Sequence, residues 1–448
     1  MEINPKIFKA YDIRGIVPDE INPEGMEAIA RAFVAFLRNR FGSSRPQMIL
    51  SRDARISSQE LSSAALRGLV SGGARVIDAG LTSTPMHYWL VGSKGADGGF
   101  MVSASHNPKN YNGAKLTGKG VMPLGKAECF GELQDLITHP DAPGKSGTVE
   151  VHDFLESYIE HEAGAFAFKP ITVVCDASNG ASGPGLRRLF ERFPEIHLVS
   201  LYFDPDGTFP NHGPNPFEPE AQLAIKAEIV RTRAAFGAIF DGDGDRIFFF
   251  DEQGAFVPPS NIGALLAELV LQRHPGGAAV YNIAASRILP ETIEAAGGRA
   301  IASRTGHTFI KQVMQASDAV FGAEHTGHFY FHENFGAEDP LQALLLFLDL
   351  ITRTGKSFSS ILKPYDRYVS SGEINFTAAW DRVAPLIRKE FSGGTRDETD
   401  GITVDFPDWR FNVRASNTEP LVRLNIEALD QATLEAKVEE LSKLIRNA

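Results

Sequence analysis

What most constrains this chain is an alternation of short apolar, strand-like runs with segments of helical periodicity, restarting at Met48, Ile171 and Ala278. In the first pass Met48–Leu50 leads into the polar loop Ser51–Ser58. Leu61, Ala65, Leu66, Leu69 and Val70 then recur at helical spacing, and Arg75–Ala79 and Gly99–Val102 read as further strands. The second pass runs from Ile171–Cys175 through a helix near Gly185–Phe193 to His197–Tyr202, then through a helix near Glu220–Ala234 to Phe236–Phe240. The third opens at Ala278–Tyr281, followed by a helix near Ile288–Ala296. Such alternation predicts parallel or mixed sheets covered by helices on both faces. After about Asp366 the pattern changes. Gly372–Phe376, Thr403–Phe406 and Trp409–Val413 read as strands and Leu434–Ile445 as a closing amphipathic helix.

Length agrees with this division. At roughly 150 residues per domain, 448 residues make three domains or more, and a single core stops growing near about 250–300 residues. The Pro/Gly-rich stretch His139–Gly147 and the region Lys363–Arg367 read as linkers. The expected organisation is α/β: three similar α/β domains over 1–147, 148–252 and 253–364, and a smaller α+β domain over 365–448.

Charge and composition exclude several functions. The chain carries 44 Lys+Arg against 56 Asp+Glu, a net charge of −12, with no basic run, so neither nucleic acid nor an anionic membrane is an expected partner. The longest apolar run, Ala343 to Leu348, falls far short of the ~20 residues that span a bilayer. Residues Met1 to Gly15 lack the apolar stretch of a signal peptide. The only cysteines, Cys129 and Cys175, have no metal or redox spacing, and a cytoplasmic protein is expected.

Four segments carry chemistry. Asp241-Gly242-Asp243-Gly244-Asp245-Arg246 lies between the apolar runs Phe236–Phe240 and Ile247–Phe250. Three carboxylates at alternate positions of a glycine-relaxed loop suit a hard cation such as Mg²⁺ or Ca²⁺. A calcium EF-hand would also use Glu252, but it needs glycine where Arg246 stands and helices where these strands lie. Ser103-Ala104-Ser105-His106-Asn107-Pro108 follows the strand Gly99–Val102, where open α/β sheets place ligands. A nucleophilic Ser105 and a helix-capping serine both fit this segment, whereas the glycines of a hydrolase elbow are absent. Arg414-Ala415-Ser416-Asn417-Thr418-Glu419-Pro420 combines a guanidinium fork with hydroxyls and an amide, suited to a tetrahedral oxyanion or to a capping turn. Arg304-Thr305-Gly306-His307 and Glu324-His325-Thr326-Gly327-His328 form the last pair. His325 and His328 complete no zinc spacing and read as hydrogen-bonding histidines, while Glu324 and Thr326 suit vicinal sugar hydroxyls. Gly113, Gly118 and Lys119 mimic a P-loop, but Gly120 stands where Ser or Thr is required, so no nucleotide site is expected there.

In this order, these segments resemble the α-D-phosphohexomutase superfamily, most closely its bacterial phosphomannomutase/phosphoglucomutase branch. Agreement runs from Phe8-Lys9-Ala10-Tyr11-Asp12-Ile13-Arg14-Gly15 to Leu421-Val422-Arg423, with Phe209-Pro210-Asn211-His212 and Pro214-Asn215-Pro216 between. The resemblance implies four domains around a central cleft, each giving one loop. It makes Ser105 the phosphorylated serine, and Ser105, Asp241, Asp243 and Asp245 the Mg²⁺ ligands. His106, Lys115 and Arg246 become the charged groups around the phosphoryl, with His106 and His307 as candidate bases. Tyr11, Arg14, Thr305, Gly306, Glu324, Thr326, Arg414, Ser416, Asn417 and Thr418 become substrate contacts. Where relatives have Gly-Glu-Met-Ser-Gly-His, this chain reads Ala323-Glu324-His325-Thr326-Gly327-His328, which leaves the sugar preference open. Ala284 replaces a substrate-contacting Lys of some relatives, and Arg287 is the nearby cation.

The implied activity is interconversion of hexose 1-phosphate and hexose 6-phosphate, of mannose or glucose, by a monomer or weak dimer. Mg²⁺ is the cofactor and a hexose 1,6-bisphosphate the activating primer. Phosphoglucosamine mutase is the nearest alternative; a metal-dependent sugar phosphatase and a silent sugar-phosphate-binding protein are rivals of other classes.

Overall fold

A computed structural model describes residues 3–140, 146–164, 166–416 and 421–448. The chain forms two compact units, one running to Val257 and including Gly327–Ser360, the other Pro258–Thr326 with Ile361–Ala448.

The first unit contains two sheets with helices between their strands. In the first, strands run in the order Ile13–Ile16, Tyr111–Gly118, Gly98–Val102, Gln47–Arg52, Arg75–Leu81 and Thr148–Val151, and Met122–Leu124 pairs with Tyr111–Gly118. The last four are mutually parallel, and Tyr111–Gly118 turns the sheet antiparallel. Helix Pro23–Phe41 starts where the Asn22 side chain accepts from Gly25 N–H and Pro23 supplies a preset φ. Its apolar face buries Phe33, Phe36 and Leu37 in a core shared with Leu61, Leu69 and Phe100. The second sheet runs Phe256–Val257, Ile247–Phe250, Phe236–Phe240, Ile171–Asp176 and Ile196–Leu201. Every residue of Phe236–Phe240 and Ile247–Phe250 is buried, as continuous apolar runs require. These two strands form an antiparallel hairpin whose tip is residues 241–246, at the carboxyl end of Phe236–Phe240. Phe329–Phe331 and Ala337–Glu338 form a further antiparallel pair, and Asp339 caps helix Pro340–Thr354, whose Phe347 ring lies 4.8 Å from that of Phe249.

The second unit carries the parallel strands Arg299–Ser303, Ala278–Asn282 and Phe321–Ala323, flanked by helices Pro259–Arg273, Ile288–Ala295 and His307–Ser317. It also holds an antiparallel sheet ordered Val369–Phe376, Val422–Ala428, Trp409–Ala415, Ile402–Asp405 and Thr395–Asp397. Helices Trp380–Glu390 and Gln431–Arg446 close that core over Phe411, Val413 and Leu424.

Four elements depart from the sequence reading or add to it. The Lys363–Arg367 linker contains the 3₁₀ turn Lys363–Tyr365, anchored by a buried Tyr365 whose hydroxyl donates to Glu268 over 2.7 Å. The helix expected over Glu220–Ala234 is split into a 3₁₀ turn, Pro219–Gln222, and a helix, Leu223–Thr232. Helix Trp380–Glu390 and edge strand Thr395–Asp397 are additional. Of the His139–Gly147 linker, 141–145 lie outside the described residues. Gly113 and Gly118 belong to strand Tyr111–Gly118, which is why they make no phosphate loop.

Candidate active site

The carboxyl ends of two strands build the site of the first unit. Gly98–Val102 ends in Ser103–Ser105, and Phe236–Phe240 ends in Asp241. Ser105 takes a left-handed backbone, φ 50°, which is uncommon for a residue with a Cβ. Its Oγ donates to Asp241 Oδ2 over 3.1 Å and lies 3.1 Å from His106 Nδ1. The helix-capping reading of this serine therefore fails: it lies in no helix, and its hydroxyl faces the carboxylate loop.

Asp241, Asp243 and Asp245 are all buried, each with a carboxylate oxygen within 4.8 Å of the others'. Asp241 Oδ1 accepts from the backbone N–H groups of Gly244 and Arg246, which folds the loop back on itself. Gly244 has φ 75°, and a Cβ there would meet Ser182 Oγ at 2.0 Å, so only glycine fits that turn. Asp243 Oδ2 accepts from Thr84 Oγ1 at 2.7 Å, Ser103 Oγ at 3.1 Å and Lys115 Nζ at 2.7 Å. Its Oδ1 is buried with no hydrogen-bond partner among the described residues. Lys115 also reaches Asp245 Oδ2 at 2.5 Å. An oxygen-only donor set that includes the uncommitted Asp243 Oδ1 fits a hard divalent cation, and no solvated hairpin loop would bury three acids this way.

Charge is unevenly shared. Burial opposes the ammonium of Lys115, but Asp243 and Asp245 hold its pKa well above the ordinary value. Burial and the charges of Asp245 and Asp243 push the Asp241 carboxyl well up. Asp245 is also penalised by burial, yet Lys115 and then His328 hold it well below the usual carboxylate range. The His106 imidazole is held well below its ordinary pKa by burial and by Arg246, so it is neutral at pH 7.

Arg246 Nε lies 3.2 Å from His328 Nε2 and 4.0 Å from Asp241, while His328 Nε2 is 3.3 Å from Asp245 Oδ1. His328, an ordinary hydrogen-bonding histidine in the sequence reading, thus belongs to this cluster, as do Thr84 and Ser103. Arg14, half-buried, donates to Asp12 and, over 2.5 Å, to Asn107 Oδ1 in the serine loop; Tyr11 lies just ahead of it in a bend. Glu252, the twelfth EF-hand position, instead accepts from Ser359.

In the second unit, Gly306 N–H donates to Glu324 Oε1 over 2.9 Å, which joins the two loops of the third repeat. Thr305 N–H donates to Asp400 Oδ2 over 3.0 Å, and His307 opens helix His307–Ser317. Thr326 is half-buried. Arg414, buried in strand Trp409–Ala415, donates to Glu373 over 3.2 Å, and Arg423 lies 3.2 Å from the same carboxylate. Ser416 N–H donates to Leu421 O; Asn417 and Thr418 lie outside the described residues. Arg287 is occupied elsewhere, with Nη2 donating to Phe406 O and lying 3.5 Å from Asp405.

Residues 5–139, 153–254, 258–368 and 377–444 match, in order, the α/β/α domains I, II and III and the C-terminal domain of phosphoglucomutase/phosphomannomutase. The chain belongs to this family. It is 37% identical to the phosphohexose mutases protein of Xanthomonas campestris pv. campestris, over 98% of this chain and 99% of that one. It is 35% identical to the phosphomannomutase of Escherichia coli K12, over 98% of each. A phosphoglucomutase/phosphomannomutase family protein from Burkholderia thailandensis superposes with a TM-score of 0.92 at 31% identity, covering 100% of this chain and 98% of that one. The resemblance to the bacterial branch of the α-D-phosphohexomutases and the fold of three α/β domains plus a C-terminal one are borne out. The protein is accordingly an isomerase, a hexose phosphate mutase. Among the described residues no helix is long and apolar enough to cross a membrane.

Proposed function

We propose that the protein moves a phosphoryl group between O1 and O6 of mannose or glucose phosphates in the cytoplasm, through a phosphorylated Ser105 and a bound hexose 1,6-bisphosphate. The observation that carries this reading is the 3.1 Å contact of Ser105 Oγ with Asp241 in a buried three-carboxylate loop. Asp241, Asp243 and Asp245, with Ser105, would hold Mg²⁺. When bound, the ion neutralises phosphoryl oxygens and polarises the phosphorus–oxygen bond.

The chain's own groups do the rest. Lys115 and Arg246 offset the anionic charge that a phosphoserine would bring beside three acids. In the forward half the Ser105 Oγ–P bond breaks and a bond forms from phosphorus to the free sugar hydroxyl. The hydroxyl proton passes to a histidine, His307 or His106, and Ser105 Oγ is reprotonated. After the bisphosphate turns over, its other phosphoryl returns to Ser105 with the proton flow reversed. His106, neutral and 3.1 Å from Ser105 Oγ, is suited to exchange the serine proton. Arg414, Ser416, Asn417 and Thr418 would hold the non-reacting phosphate, and Thr305, Gly306, Glu324 and Thr326 the sugar, with Tyr11 and Arg14 contributing from the first domain.

Turnover on mannose 1-phosphate, glucose 1-phosphate and glucosamine 6-phosphate with Mg²⁺ and a bisphosphate primer tests the proposal. Mannose and glucose phosphates should be the best substrates. Preference for glucosamine 6-phosphate would make the protein a phosphoglucosamine mutase, and inorganic phosphate release at the turnover rate would make it a phosphatase.

A further inference from the structure

Between strand Gln47–Arg52 and the helix that begins at Ser58 lies Arg55, one of the largest side chains fully buried among the described residues. Its guanidinium is the hub of the serine loop. One terminal nitrogen donates to the carbonyls of Pro108 at 2.7 Å and Tyr111 at 3.0 Å, the other to those of Ser105 at 2.7 Å and Asn107 at 2.6 Å. Nε donates to Asp53 Oδ2 over 3.2 Å, so all three nitrogens are engaged. Asp53 Oδ1 in turn accepts from Arg55 N–H and Ser58 Oγ. Four converging carbonyls and one carboxylate match the planar donor fork of arginine and no other side chain.

This arrangement bears on Ser105 in two ways. The residue sits at φ 50°, and a left-handed serine persists only where its surroundings over-determine it. Arg55 grips its carbonyl and those of residues two and three positions on, while Ser105 N–H donates to Ser103 Oγ. The clamp also faces the domain that supplies the carboxylate loop. The Phe209 ring centroid lies 5.5 Å from the Arg55 guanidinium carbon, and a Cβ on Gly207 would come within 2.3 Å of Ile56 N.

We infer that Arg55 is the positioning residue of phosphoryl transfer: through Ser105's own carbonyl it fixes the direction in which Oγ presents phosphorus. It has no part in holding substrate. The inference rests on the reading of Ser105 as the phosphoryl carrier. A serine that is tilted but still phosphorylatable accepts and returns phosphoryl slowly, and a bisphosphate intermediate then escapes before it can be used.

The experiment compares Arg55→Lys and Asp53→Asn with the parent for kcat, KM, bisphosphate released per turnover, and thermal unfolding. Arg55→Lys, which keeps charge and most of the volume but loses the fork, should lower kcat at least about thirtyfold and raise bisphosphate release, with KM within threefold. Asp53→Asn, which only loosens the grip, should lower kcat about three- to tenfold in the same pattern. A folded Arg55→Lys within threefold of the parent in kcat would overturn the inference. So would equal losses in kcat and KM without extra bisphosphate release, the signature of general disorder. If Arg55→Lys does not fold, Asp53→Asn decides on the same criteria. Failure of the underlying reading is separate: parent enzyme treated with bisphosphate would then carry no phosphate on Ser105.

Discussion

Replacement of Lys115 by Met keeps the stem of the side chain and removes its charge from a buried cluster. The ammonium lies 2.7 Å from Asp243 and 2.5 Å from Asp245, and all three side chains are almost fully inaccessible. Removing one partner of a buried ion pair costs about 3–5 kcal/mol, and here two carboxylates lose the same partner, so about 4–5 kcal/mol is expected in metal-free protein at pH 8. The sign with pH follows from the protons. In the parent, Asp245 is held well below the usual range, so it contributes stability above its unfolded pKa and loses it as pH falls through the folded value. In Lys115→Met the stranded carboxyls have raised pKa values, and stability is lost as pH rises. The gap between variant and parent therefore widens from pH 5 to pH 8. A divalent ion relieved of a neighbouring positive charge binds at least about tenfold more tightly, and each tenfold returns about 1.4 kcal/mol. Saturating Mg²⁺ should therefore narrow the gap by about a third or more. Urea unfolding followed by hydrogen exchange of the 236–250 hairpin, with EDTA or Mg²⁺, measures both effects. A loss that is the same at pH 5 and 8, and the same with and without Mg²⁺, would refute the reasoning.

Gly244→Ala forces a Cβ onto Ser182 Oγ at a backbone angle alanine disfavours; it should cost about 1–3 kcal/mol and weaken Mg²⁺ binding by calorimetry about tenfold. Asp339 is pushed up to about 7 by burial, and Glu162 well above the usual range by burial and by Asp339, so both contribute stability that is lost as pH rises. Glu162→Gln should flatten the fall in melting temperature between pH 6 and 8, and an unchanged slope would contradict it. Arg414→Ala removes a charged donor proposed for substrate phosphate; KM should rise about 10- to 150-fold with little change in metal affinity.

Much of this was legible because backbone periodicity and local motifs are short-range. Phe236–Phe240 and Ile247–Phe250 were readable to the residue because buried strands are continuous apolar runs ended by charge. Asp241, Asp243 and Asp245 stood out for the same reason: acids so close together need a compensating cation. Arg55 and His328 did not, because their meaning lies in partners 50 to 56 and 82 residues away respectively. An arginine in a polar loop looks solvated until the fold turns four carbonyls towards it. Helix Trp380–Glu390 is hard to read because Pro385 stands inside it, a residue that ordinarily ends a helix, and its buried face of Val383, Ala384 and Ile387 shows only in the packed domain. The Lys363–Arg367 segment read as a linker because a lone Tyr365 gives no local sign of its distant partner, Glu268.

The most direct test of phosphoryl shuttling by Ser105 is a pulse–chase with isotopically labelled hexose 1,6-bisphosphate, followed by intact-mass and peptide mapping. One label should appear per chain, on Ser105, and chase into bisphosphate when unlabelled hexose monophosphate is added, whereas Ser105→Ala should take up none. Label elsewhere in the chain, or label that leaves Ser105 only as inorganic phosphate, would contradict it.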